Sequence, residues 1–178
     1  IDEMGVHFSD DKKTLIKFPT NIVGLYIVPE GVTTIAENAF DSCEITGIAF
    51  PEGVKSIKGY AFDQCFNLDV LFLPSSLVEF GSEGESPFYS LFSEICTIFV
   101  PKGHKERIMA LDKEIGKYTI VELEPNEMIE KPLSLRDYYR QKYAEDKIRE
   151  EEARIAQEKK DEEAREALLP EWEKYVAK

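Results

Sequence analysis

Hydrophobic and polar positions follow a repeated pattern between residues 23 and 101. Four phrases of the same kind end at a proline: VGLYIVP, ITGIAFP, LDVLFLP and ICTIFVP, with prolines at 29, 51, 74 and 101. Each phrase has an apolar residue one, three and six positions before the proline. Alternation with a period of two is typical of a strand, and proline ends a strand because it lacks the N–H that the ladder needs. The pattern predicts four short strands whose residues one and three before the proline point inward.

The segments that follow the prolines also repeat. Apolar residues recur three and six positions after the proline, and an Ala-Phe pair and a cysteine or leucine come next. The members are Val32, Val54 and Leu77; Ile35, Ile57 and Phe80; Ala39-Phe40 and Ala61-Phe62, with Pro87-Phe88 in the third copy; and Cys43, Cys65 and Leu91. A single unit cannot cover its apolar side, so successive units must stack and share a core. The pattern therefore predicts a solenoid of short parallel strands with irregular or short helical return legs.

The segment Ile45 to Cys65 carries the pattern L-x-x-I-x-L-P-x-x-L-x-x-I-x-x-x-A-F-x-x-C most closely, and Val23 to Cys43 carries it well. This pattern resembles the BspA-like leucine-rich repeats, which are found on bacterial surface proteins and in some protists. The resemblance covers about residues 5–123, with departures at 81–86 and after Pro101. It implies an α/β-type leucine-rich-repeat solenoid and a non-catalytic interaction module at the bacterial cell surface or secreted. Ligands of the family are diverse, so the resemblance names no partner.

Other elements flank the repeats. Residues 5–19 alternate around a polar turn and predict a β-hairpin. After Pro101, residues 104–115 predict a helix that Gly116 ends, and residues 118–123 predict a strand. Since the terminal unit of a solenoid must be atypical, this helix and strand are interpreted as its cap. We therefore expect a solenoid with hairpin and cap over 1–124, a linker over 125–133 and a charged helical tail over 134–178.

The predicted tail is rich in opposite charges four residues apart. Such pairs are Glu145–Arg149, Glu150–Arg154 and Asp161–Arg165, and they support a helix that need not be packed along its whole length. No apolar heptad persists through it, which argues against a strong coiled coil. The sequence leaves open whether the chain forms a homo-oligomer through the tail.

Charge and composition narrow the function. The net charge is −13, and residues 1–131 carry −11 of it, which disfavours nucleic acid and anionic membrane surfaces as partners. No apolar run approaches the roughly 20 residues that span a bilayer. The two histidines, His7 and His104, stand alone, and no phosphate loop, nucleophile motif or metal-spaced cluster is present. The sequence predicts neither an enzyme nor a cofactor or metal.

The three cysteines allow two interpretations. Cys43 and Cys65 occupy equivalent positions in adjacent coils, about 4.8 Å apart, which a disulfide permits. They are instead interpreted as a ladder of small buried thiols, since the third member of the series is Leu91. Cys96 is expected to point outward and to be the most reactive thiol.

The outward face of the strands carries the candidate binding site. Positions two and four before the prolines hold apolar residues where a solvated sheet would hold polar ones. They are Leu25, Ile27, Ala49, Val70, Phe72 and Phe99. In one interpretation the C-terminal helix, with Tyr138, Tyr139, Tyr143 or Ile148, or another domain covers this stripe. In the other a protein or peptide ligand docks on it, and dimerisation through the stripe is a third alternative. The sequence thus predicts an adhesion or protein-interaction module that binds through its concave face. The alternative is a structural spacer or oligomerisation protein that assembles through its C-terminal helix.

Overall fold

The structure is a computed structural model that describes residues 1–82, 84–88 and 96–176. For residues 166–176 it describes the backbone only. It contains two compact units, residues 1–139 and 140–178. Its elements in chain order are β1 (His7–Phe8), β2 (Thr14–Lys17), β3 (Leu25–Ile27), β4 (Thr34–Ile35), β5 (Gly47–Ala49), β6 (Ser56–Ile57), β7 (Val70–Phe72), β8 (Glu79–Phe80), β9 (Thr97–Pro101), α1 (Lys105–Met109), a 3-10 helix (Lys113–Lys117), β10 (Thr119–Leu123) and α2 (Pro125–Val176). The predicted Leu91 position lies outside the described residues.

The proline-ended phrases form one parallel sheet. Its strand order is β10-β9-β7-β5-β3, and each strand pairs with the next coil in register. Ile27 pairs with Ala49, Ala49 with Phe72 and Phe72 with Phe99. The residues two before each proline therefore form one row across the sheet, as the repeat predicts. This sheet has the longer strands and is called the larger sheet below. It forms one side of the leucine-rich-repeat solenoid that the sequence predicts.

A second sheet, which the sequence pattern did not predict, lies on the return legs. It runs in the order β1-β2-β4-β6-β8, and only the β1–β2 pair is antiparallel. The predicted hairpin thus supplies its first two strands. The other strands have two residues each, too short for alternation to be visible in the sequence.

The core between the sheets contains a ladder of aromatic rings from the Ala-Phe position. Phe18, Phe40, Phe62 and Phe88 follow one another with ring centroids 5.1, 6.0 and 5.6 Å apart. The backbone beside these rings is irregular. Hydrogen bonds between backbone groups join adjacent coils there; the Phe40 N–H, for example, donates to the Ala61 carbonyl at 2.8 Å. The coils are therefore joined at this corner by turns and ring packing.

The three thiols are buried in this core. Cys43 and Cys65 are free, and the Cys65 thiol donates to the Phe40 carbonyl at 2.9 Å, which confirms the buried-thiol interpretation. The prediction for Cys96 was wrong, because this side chain is fully buried. Cys96 directly precedes β9 and lies outside the strand, so the alternation along the strand does not fix the direction of its side chain.

The cap consists of the predicted helix and strand with different bounds. The helix α1 ends at Met109, and a 3-10 helix follows, with the Asp112 side chain accepting from the Glu114 N–H at 2.7 Å. Gly116 lies inside the 3-10 helix and does not end α1. Ile108 and Ile115 are buried. The strand β10 pairs in parallel with β9 and so adds a fifth strand to the larger sheet.

Residues 125–133, expected to be a linker, are helical, since α2 begins at Pro125. The local sequence explains this start. Proline suits the first helical position, where no N–H is needed. The Glu127 carboxylate accepts from the Glu124 N–H at 2.9 Å, which is one half of a capping box.

Candidate functional site

The outward residues of the larger sheet form their own apolar cluster. Its buried members are Leu25, Ala49, Val70, Phe72, Phe99 and Leu123, with Ile27 half-buried beside them. None of these belongs to the core cluster between the two sheets. The structure therefore confirms the two faces that the sequence pattern assigned, and all six predicted binding residues lie together on the concave face.

The first part of α2, residues 125–139, covers much of this face. Met128, Leu135 and Tyr139 pack against the cluster. Their spacing of seven and four residues places them on one side of the helix. Lys131 adds a cation–π contact, with its Nζ 4.6 Å from the centre of the Phe99 ring. Residues 125–139 of the C-terminal helix therefore pack against the stripe in this structure.

Only some of the residues predicted to cover the concave face contact it in the structure. Tyr139 packs against the cluster, whereas Tyr138 is exposed. Met128 and Lys131 were missed because they fall in the segment expected to be a linker. The signal that could have found them is the apolar spacing from Met128 through Leu135 to Tyr139.

Gly47 leaves room for neighbouring side chains in the middle of the concave face. It occupies the position four before the proline, between Leu25 and Val70 on the neighbouring strands. A Cβ atom at Gly47 would lie 2.6 Å from Val70 Cγ2 and 3.0 Å from Leu25 Cδ1. The glycine therefore leaves the space that these two side chains fill beneath the helix.

A groove of about 690 Å³ remains open between the ends of the strands and residues 125–133 of α2. We call this the proline-edge groove. Its strand side includes Ile27, Ala49, Phe50, Pro51, Pro74 and Pro101, and its helix side Pro125, Met128, Ile129, Pro132 and Leu133. Ile129 and Leu133 are 69% and 42% exposed. Ile27 and Ala49 are the predicted binding residues that line this groove.

The charged residues of the groove are arranged unevenly. Glu30 and Glu52 stand on the strand side, where the Glu52 carboxylate accepts from the Ser75 N–H and hydroxyl, both at 2.9 Å. Lys102 forms an ion pair with Glu124. The hydrogen bond from Lys102 to this carboxylate raises the lysine pKa. The groove therefore offers apolar surface and carboxylates.

The family of the chain follows from its repeats. A sequence profile of the BspA type leucine-rich repeat region, in six copies, matches residues 16–107, just over half of the 178 residues. The chain belongs to the BspA-type leucine-rich repeat family.

A solved structure to which the chain is similar is the pneumococcal vaccine antigen PcpA, at 15% sequence identity and a TM-score of 0.33. The similarity covers 67% of this chain and 46% of the PcpA chain, so the present chain spans less than half of that structure. No curated protein sequence matches the chain.

The BspA-type region ends at residue 107, before the cap strand and α2. The repeats therefore build four of the five strands of the concave face. The fifth strand β10, the helix that covers the face and one wall of the proline-edge groove come from outside the matched region. Among the described residues, no group of three His, Cys, Asp or Glu side chains has a metal-binding arrangement. No described helix is long and apolar enough to cross a membrane.

Proposed function

We propose that this BspA-type chain is a non-catalytic protein-interaction or adhesion module of a bacterial surface or secreted protein. It binds a protein or peptide ligand through the concave face, at Leu25, Ile27, Ala49, Val70, Phe72 and Phe99. Family membership supports both the class of function and the compartment, because BspA-like repeats are found on bacterial surface proteins. The apolar character of the outward strand positions supports the choice of surface.

One observation carries the proposal: the concave face already holds a helical segment, the chain's own residues 125–139. Met128, Leu135 and Tyr139 fill the cluster formed by the strands. A surface that packs against one helix of this pattern suits a ligand helix of the same pattern. Such a ligand would compete with residues 125–139, so the covering segment sets the affinity of the face for partners.

The experiment uses a fluorescent peptide with the sequence of residues 124–140. We expect it to bind the double variant Leu135→Ser/Tyr139→Ser, in which the covering segment holds the face less tightly, and to bind the unaltered chain much more weakly. Addition of Phe72→Ser to the double variant should remove the binding. Fluorescence anisotropy measures each affinity, and circular dichroism checks that the repeats remain folded.

The matched control is Ile148→Ser/Ile155→Ser, which makes the same kind of change at exposed helical positions outside residues 125–139. This control should bind the peptide as weakly as the unaltered chain. Failure of the Leu135→Ser/Tyr139→Ser variant to bind the peptide while its repeats stay folded would contradict the concave-face proposal.

A second candidate function is a structural spacer that can assemble through its C-terminal helix. The observation that favours it is the character of residues 140–165, whose side chains are mostly exposed and form ion pairs along the helix itself. At about 1.5 Å per residue this part alone extends about 39 Å. Sedimentation equilibrium of the full chain and of Ile148→Ser/Ile155→Ser tests it: a monomer in both cases favours the spacer, and a dimer lost in the variant favours assembly.

A further inference from the structure

The proline-edge groove exposes apolar surface on its helix wall. Ile129 and Leu133 are four residues apart and so lie on the same side of α2. They stand across the groove from a row of prolines, Pro51, Pro74 and Pro101. This side of the helix differs from the side that Met128, Leu135 and Tyr139 turn to the concave face. A ligand in the groove therefore need not displace the covering segment.

The groove is acidic at the end formed by the first repeats. Glu30 and Glu52 directly follow Pro29 and Pro51, so they occupy equivalent positions on adjacent coils, about 4.8 Å apart along the stack. Like charges placed opposite each other on neighbouring strands repel. The ion pairs among the described residues involve neither carboxylate, although Glu52 accepts hydrogen bonds from Ser75 and Ser76. Lys102 also lines the groove, and it forms an ion pair with Glu124.

These two features specify the partner by complementarity. We propose that the proline-edge groove binds a cationic amphipathic peptide segment of another protein. The apolar side chains of that segment pack between Ile129, Leu133 and the prolines, and a lysine or arginine contacts Glu30 and Glu52 together. An arginine would relieve the repulsion between the two carboxylates and bond to both. The chain's net charge of −13 also attracts a basic partner from a distance.

This proposal rests on the interaction-module function but uses a different surface from the concave face. The probe is a short fluorescent peptide of leucine and lysine in an amphipathic helical pattern, titrated with the full chain at low and at high ionic strength. We expect binding that weakens with salt, since exposed charges are screened. The same peptide with glutamate in place of lysine should not bind.

Variants of the chain locate the site. Glu30→Gln/Glu52→Gln and, separately, Ile129→Ser should each weaken binding roughly tenfold, and both residues of the acidic pair are exposed enough for the fold to be kept. The control for charge is Glu37→Gln/Glu44→Gln, two exposed acidic residues outside the groove. The control for apolar surface is Ile148→Ser. Both controls should leave the affinity unchanged.

Each other outcome overturns the proposal. No binding of the lysine peptide excludes this partner, and equal loss in the groove and control variants shows attraction by net charge alone. Retained binding in Ile129→Ser places the peptide elsewhere. None of these results affects the concave-face test, because that test measures a different peptide on variants of Leu135, Tyr139 and Phe72.

Discussion

The rings of Phe72 and Phe99 stack on adjacent strands of the larger sheet, with centroids 4.7 Å apart and planes inclined by 21°. Both rings point out of the solenoid core and into the cluster covered by residues 125–139. Offset stacking adds to the free energy gained from burial of the rings. The Lys131 ammonium lies over the Phe99 ring from the helix side. The pair therefore joins two coils of the solenoid to the helix that follows them.

We expect Phe99→Ala to lower the free energy of unfolding by about 3 kcal/mol, because it removes a large buried side chain and its stacking on the Phe72 ring. It should also increase amide hydrogen exchange in residues 125–139. Chemical denaturation and exchange measured by mass spectrometry provide the two readouts. The control is Phe66→Ala, at a phenylalanine that is 58% exposed and should cost much less. Unchanged exchange in residues 125–139 would contradict the role assigned to Phe99.

Gly47→Ala should destabilise the fold by about 1–3 kcal/mol, the usual cost of an extra methyl group in a packed site. The new Cβ would lie within 2.6 Å of Val70 Cγ2, and the branched valine has few alternative positions. Gly116→Ala is the matched control, since its nearest neighbour, Met109 Cε, would be 3.7 Å away. Denaturant titration of both variants measures the difference. Equal stability of the two variants would show that the concave face tolerates the methyl group.

The repeat pattern predicts the solenoid well because one physical rule applies at every copy. A period of two separates core residues such as Ile48 from concave-face residues such as Ala49, and the structure places them in different clusters. The rule does not extend to Cys96, which precedes β9 and yet belongs to the core cluster. The second sheet was missed because two-residue strands show no periodicity.

The covering helix was harder to predict from the sequence. The sequence predicts a linker over residues 125–133, but proline at the first helical position, here Pro125, favours the start of a helix. Two interactions stabilise the start of the helix. The Glu127 carboxylate accepts a hydrogen bond from the Glu124 N–H, and Met128 packs against the sheet. Packing against a distant part of the chain cannot be read from local sequence, so the closed concave face and the proline-edge groove emerge only from the structure.

All three thiols should be unreactive while the chain is folded. Burial raises the pKa of Cys43, Cys65 and Cys96 from 9.0 to about 12, so the reactive thiolate is almost absent near neutral pH. A coloured disulfide reagent should therefore detect no thiol in the native chain and three after denaturation. Rapid reaction of one thiol in the native chain would show that its site opens. Cys96→Ala would then identify whether that thiol is the one in the last repeat.

The same pKa shifts predict a loss of stability at alkaline pH. Between the unfolded value of 9.0 and the folded value of about 12, the unfolded chain releases thiol protons that the folded chain retains. Each buried thiol therefore lowers the free energy of unfolding by about 1.4 kcal/mol per pH unit in this window and has no effect below it. Denaturation at pH values on both sides of 9.0 tests this, and a Cys43→Ala/Cys65→Ala variant should show a shallower fall. An equal slope in the variant would contradict the assignment.

Arg154 is the most connected ion-pairing residue described in residues 140–165. Its guanidinium bonds to both carboxylate oxygens of Glu151, at 3.0 and 2.6 Å, and to Glu158 at 2.9 Å. These partners are three residues before and four after it, whereas the sequence suggested Glu150. Because the arginine links successive turns of the helix, Arg154→Ala should reduce helicity in this part of the chain.

Far-ultraviolet circular dichroism of the full chain measures this loss, and high salt should reproduce part of it in the unaltered chain by screening. The matched control is Arg165→Ala, which removes the same side chain at an exposed position with no ion pair among the described residues. Since alanine has the same intrinsic preference at both positions, the difference between the two variants reports the ion pairs alone. The thermal midpoint of the repeats should be unchanged in both variants, because the solenoid core contains neither arginine. A similar helicity in Arg154→Ala and Arg165→Ala would show that propensity, and not ion pairing, maintains this helix.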